Sequence, residues 1–183
     1  RDDVVYFGRP VDTERLRGLR ARQFEEKAAD GRYNAKFSSG ALVDLEYYVQ
    51  LLQVAHGARV PALRTPRIHE AIAALSGAGV LADEEGGRLA EAYDFLRRLI
   101  NGLRMLRGNA RDLTLPEARS DEYIHLARRM GYRRSDLGPG RQLFLDFETL
   151  TAEIRAFIER HFGRESLPAA QRGNVADLIL SED

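Results

Sequence analysis

The chain has 183 residues, 44% of them apolar, with 28 basic and 28 acidic side chains and no cysteine. That is enough chain for one domain with a sizeable core, and it is too apolar for a disordered segment. The absence of cysteine excludes disulfides, thiol catalysis and thiolate metal sites, and a net charge of zero gives no driving force for non-specific nucleic-acid binding.

No apolar run reaches the roughly 18 residues of a membrane span, and no signal peptide is visible, which fits a cytoplasmic protein. Only Lys27 and Lys36 among the basic residues are lysine. The sequence begins at Arg1 rather than methionine, so it reads as a piece of something longer.

In chain order, Val4-Val5-Tyr6-Phe7 is a short extended arm closed by Gly8-Arg9-Pro10. Asp12 or Thr13 caps a helix over about 13–29, with a thin apolar stripe of Leu16, Leu19, Phe24 and Ala28. These first 32 residues form an arm and a linker helix. A helical body follows over 33–163, and 164–183 is a tail.

The body is organised around residues 36–56. A Ser38-Ser39-Gly40 turn opens this stretch and Gly57 closes it. Leu42, Leu45, Val49, Leu52 and Ala55 fall at helical spacing, which favours a helix over a strand despite the β-formers between Val43 and Val49. Thr65-Pro66 starts a helix over 67–78, with Thr65 as its cap and Pro66 at its first position. Asp83 opens the next element, and the longest periodic pattern covers 88–107, interrupted at Asn101-Gly102. A glycine there costs about 1 kcal/mol against alanine, and close approach of a neighbouring helix is the reason to keep it. Ser120 or Asp121 starts a further helix stopped by Gly131, and a last heavy apolar stripe covers about 141–162. The expected fold is all-α, a bundle of about five to six helices with a short extended N-terminal arm.

Within this bundle few residues point to catalysis. There is no phosphate-binding glycine loop, no His-Glu-x-x-His, and no pair of histidines at i, i+4. Asp44 and Glu46, like Asp146 and Glu148, are two apart on a helix and face differently. Asp44 is the sharper observation, because an acid on an apolar helix needs a partner if it faces inward. Arg97 or Arg98 is the expected one, and a contact with an adjoining domain or its ligand is the functional alternative. Glu46, Gln50 and Gln53 at i, i+4, i+7 mark a second, polar face.

The stretch Phe37-Ser38-Ser39-Gly40-Ala41-Leu42-Val43-Asp44-Leu45-Glu46-Tyr47-Tyr48-Val49-Gln50 resembles the S-P-G-G-L-V-D-I-E-F-x-V-Q signature of glutamine-synthetase adenylyltransferases, relatives of the PII uridylyltransferases. The resemblance continues through Leu63-Arg64-Thr65-Pro66, Ala92 to Leu99, Asn101 to Arg104 and Leu126 to Tyr132, and covers at least 33–163. Ser39 stands where that family usually has glycine or proline-glycine, Ile100 replaces a common glutamate, and Gly102 replaces the arginine after Asn101.

The resemblance implies the helical domain that follows a nucleotidyltransferase domain. The Gly-Ser loop and three aspartates that hold two Mg2+ ions and the nucleotide would lie upstream. ATP and Mg2+ therefore belong to the whole parent, and no cofactor is expected on this piece. The implied partners are that catalytic domain and glutamine synthetase, with neither nucleic acid nor membrane. Lys36, Ser39, Gly40, Asp44, Glu46, Gln50, Arg97, Arg98 and Arg104 are the candidates for interdomain or ligand contact, none of them catalytic and none a metal ligand. The alternatives are a stand-alone helical interaction module and a metal-dependent helical enzyme.

Overall fold

The computed structural model describes residues 5–6, 12–28, 32–109, 111–133 and 137–163. Among them are six α-helices and no strand: α1 Thr13–Ala28, α2 Leu42–His56, α3 Ile68–Gly77, α4 Asp83–Arg107, α5 Asp121–Arg129 and α6 Pro139–Phe162. The all-α expectation holds. The extended arm lies outside the described residues except for Val5 and Tyr6, and the tail over 164–183 lies outside them entirely.

Local chemistry explains most of the helix ends. The Asp12 carboxylate accepts the Arg15 amide at 2.9 Å and caps α1, and Ser120 does the same for α5 by accepting from Tyr123 N at 3.2 Å. Thr65 behaves differently from expectation. Its hydroxyl accepts the Arg67 amide at 3.2 Å and donates to Glu70 at 2.5 Å, a side-chain turn that leaves Arg67 extended. Helix α3 therefore starts at Ile68, and Pro66 stays outside it. The pattern beginning at Asp83 and the one over 88–107 are one 25-residue helix. Gly86 does not break it but lets α3 close in: a Cβ there would sit 2.2 Å from the Ser76 hydroxyl oxygen.

Helix α4 is the axis of the bundle. It packs most extensively on α6, then on α3, with α2 and α5 completing the surround. Leu89, Ala92, Phe95, Leu96, Leu99, Ile100 and Leu103 are buried along it, and Leu45, Leu75, Leu126, Leu143 and Ile154 meet them from the other helices. Each such leucine contributes roughly 1.5–3 kcal/mol of burial free energy. Gly102 sits where α5 crosses: a Cβ there would lie 2.9 Å from Leu126 Cδ1 and 3.7 Å from Met130 Cγ. The close approach expected from the sequence is present.

Two polar ties complete the frame. Buried Glu85, in the first turn of α4, meets His161 Nε2 at 3.0 Å and the Arg160 guanidinium, fixing the end of α6. Gln53 turns inward and donates from Nε2 to the Leu63 and Thr65 carbonyls at 2.6 and 2.8 Å. It is therefore not part of an outer face with Glu46 and Gln50. That placement follows from the turn after α2, whose carbonyls have no helical partner and need a donor.

Candidate functional site

The stretch that opens α2 builds two surfaces, one inward and one outward. The inward one begins with Asn34, whose side-chain oxygen accepts the amides of Lys36 and Phe37 at 3.0 and 3.1 Å. The Asn34 amide in turn donates to the Ser38 hydroxyl at 2.8 Å. These are the local bonds by which Asn and Ser favour turns over helix. The turn is then sewn to the body: Ala35 N donates to Leu113 O at 2.9 Å, Leu115 N to Tyr33 O at 2.8 Å, and the Tyr33 hydroxyl to Ser39 O at 2.9 Å. Burial pushes the Tyr33 phenol far up, so it stays a neutral donor.

Gly40 takes φ +72°, and a Cβ on it would fall 2.6 Å from the Thr151 carbonyl and 3.1 Å from Arg155 Cγ. Only glycine suits that conformation at that distance.

Asp44 locks this arrangement. Its Oδ2 accepts the Gly40 amide at 2.8 Å, reaching back across the helix start as a third-position acid does. Its Oδ1 receives Arg20 Nε at 2.7 Å, and Arg20 Nη2 donates to Phe37 O at 2.8 Å. Arg20 and Asp44 are both buried, with side-chain exposures of 7% and 5%. Burial pushes the Asp44 carboxyl up, while Arg20, the Gly40 amide and Arg155 pull it back. The partner of Asp44 is thus Arg20 on α1, not Arg97 or Arg98. Both of those are exposed on the solvent side of α4, beyond reach of a carboxylate that faces the turn. Ser39, Gly40 and Asp44 all face the interior.

The outward surface carries the other candidates. Lys36 and Glu46 are half-buried, and Gln50, Arg97, Arg98 and Arg104 are exposed. Burial raises the Glu46 carboxyl, and the charges of Arg97 and Lys36 oppose that rise. Lys36 Nζ lies 5.1 Å above the Phe37 ring, and the Arg97 guanidinium lies 5.8 Å from the Tyr93 ring. Gln50 lies one turn along α2 from Glu46, and Arg104 lies two turns along α4 from Arg97.

Sequence reasoning missed Arg20, Arg155, Tyr33 and Asn34. Of these only Asn34 left a local signal, as a turn-former four residues before Ser38.

A family model described as GlnD PII-uridylyltransferase matches residues 13–163, including every residue of both surfaces. The chain belongs to the GlnD PII-uridylyltransferase family. Curated relatives are bifunctional glutamine synthetase adenylyltransferase/adenylyl-removing enzymes. That of Streptomyces avermitilis is 35% identical over 152 residues, covering 80% of this chain and 14% of the relative. That of Xanthomonas oryzae pv. oryzae is 33% identical over 189 residues, covering 96% of this chain and 20% of the relative. That of Streptomyces coelicolor is 39% identical over 100 residues, covering 53% and 10%. The chain thus spans a fifth or less of the length of these relatives. Within this family setting, the described residues bring together no group of three or more His, Asp or Glu able to hold a metal ion. No helix among them is long and apolar enough to cross a membrane.

Proposed function

We propose that this chain is the helical accessory domain of an adenylyltransferase acting on glutamine synthetase. In this reading it packs on a nucleotidyltransferase domain outside this chain, which handles ATP and Mg2+, and holds the protein substrate relative to the nucleotide. That is a proximity role, in which positioning rather than proton transfer supplies the rate. The protein would work in the cytoplasm, where ATP and glutamine synthetase meet.

The observation that carries the reading is Glu46. It lies in the stretch most like the family signature, half-buried and under the charges of Arg97 and Lys36, on a helix start tied from below by Asp44. A carboxylate kept partly desolvated beside two cations is poised for a contact from a neighbouring domain.

The test uses the longer protein that includes a nucleotidyltransferase domain, beside the 183-residue chain. Each is assayed for Mg2+-dependent transfer of label from ATP to glutamine synthetase, and from UTP to PII. The expected result is AMP transfer by the longer protein and none by the chain alone. Glu46→Gln in the longer protein should lower kcat on the order of tenfold, with Tm unchanged. Labelling of PII from UTP instead would move the target to PII. No labelling of either would leave the chain as a helical interaction module.

A further inference from the structure

The outer face of α4 changes sign along its length. The four acids it exposes, Asp83, Glu84, Glu91 and Asp94, precede Arg97, and no acid of the helix follows. Two arginines on this helix find carboxylates: Arg88 meets Glu153 at 3.1 Å, and Arg107 meets Asp112 at 3.1 Å and Glu122 at 3.2 Å. Arg98 and Arg104 are exposed and meet no carboxylate among the described residues.

Helix α5 brings a third cation to the same place. Leu126 and Met130 seat on Gly102, which carries Arg129 Nη1 to 3.8 Å from the sulfur of Met105. Met105 is itself 66% exposed. Arg98, Asn101 and Met105 fall in one row of α4 at i, i+3 and i+7, with Arg104 three residues on from Asn101 at its edge and Arg129 against Met105, a surface roughly 10 Å long that carries three cations beside an apolar side chain.

The shape of this surface selects the ligand class. Small anions bind in concave sites, and this is the convex back of a helix. The nearby groove is lined by Glu91, Asp146 and Glu153 with Arg88, so its charge is wrong for an anion. Nucleic acid favours an excess of positive charge, and the chain has none. An exposed methionine between guanidinium groups suits a protein surface that presents carboxylates around an apolar side chain.

We propose that Arg98, Arg104 and Arg129, with Met105 between them, dock an acidic segment of a protein partner. This goes beyond the transferase reading and does not depend on it.

The test is fluorescence anisotropy of the 183-residue chain with a labelled peptide of alternating glutamate and leucine. Inorganic triphosphate and an oligothymidine serve as competitors. Saturable binding is expected, weakened on the order of tenfold in the R98E/R104E double variant and by added salt. It should be unchanged in Arg59→Glu, a control at an exposed arginine outside the patch, and circular dichroism checks that each variant is folded. Absence of peptide binding, or an equal loss in Arg59→Glu, overturns the proposal. So does displacement of the peptide by triphosphate or the oligonucleotide at lower concentration than by unlabelled peptide.

Discussion

Asp44 shows how much one side chain carries here. It accepts from a buried guanidinium and a buried amide at once, across 24 residues of sequence to Arg20 and four to Gly40. Removing one partner of such a pair leaves the other charged and dry. Asp44→Ala should therefore destabilise the protein by about 3–5 kcal/mol, read from urea unfolding. Replacing both partners by apolar residues, Arg20→Met with Asp44→Leu, should cost less than the single change, because no uncompensated charge remains. If the double variant were the less stable one, the desolvation argument would be wrong. Gly40→Ala has two faults, a positive φ and a carbonyl oxygen at 2.6 Å, and should lose at least about 2 kcal/mol.

At the scale of elements, Gly102 sets the distance between α4 and α5. Alanine there gains about 1 kcal/mol of helix propensity but must push the end of Leu126 aside, so Gly102→Ala should be close to neutral. Gly102→Arg, which restores the residue expected from the family signature, cannot be seated without moving α5. It should lower Tm clearly more than alanine does.

Acid sensitivity belongs to the links between helices. The Thr114 amide at 3.0 Å holds the Asp112 carboxyl below its ordinary value, aided by Arg107, and the Thr65 hydroxyl and Arg67 do the same for Glu70. Their contributions are present in full above the unfolded pKa of about 4 and are lost as pH falls through the lower folded values. The raised Asp44 and Glu46 carboxyls act in the opposite sense, so the test isolates one group: Asp112→Asn should reduce the loss of Tm below pH 4 relative to the unchanged protein.

These helices were legible because their apolar spacing is local. Leu42 to Ala55, Leu89 to Leu106 and Leu143 to Phe162 each repeat at helical period. The pairing of Arg20 with Asp44 was not legible, since nothing periodic links a cation on one helix to an acid on the next but one turn. For the same reason Asp44 drew the wrong arginines, and Gln53 looked like a surface residue. Its partners are backbone carbonyls of a turn that the sequence does not position.

For the whole molecule, the bundle and α1 are held by different forces. Helices α2 to α6 share an apolar core, whereas among the described side chains of α1 the buried one is Arg20. Leu19, on the expected apolar stripe of α1, is 52% exposed. A helix so charged does not stay folded alone, and its protection depends on docking. Arg20 supplies that docking through two hydrogen bonds, one to Asp44 and one to the Phe37 carbonyl, both in the stretch that opens α2. On this argument α1 should come away as a unit without melting the core. In Arg20→Ala, hydrogen exchange of the α1 amides should accelerate toward the rate of an unstructured peptide, while the centres of α4 and α6 remain slow. The turn over 34–40 should loosen only in part, since Asn34, Ser38 and the Asp44–Gly40 bond remain. If α4 and α6 lost protection together with α1, the molecule would be a single cooperative unit, and the Arg20 contact would be part of its core rather than the tie between two parts.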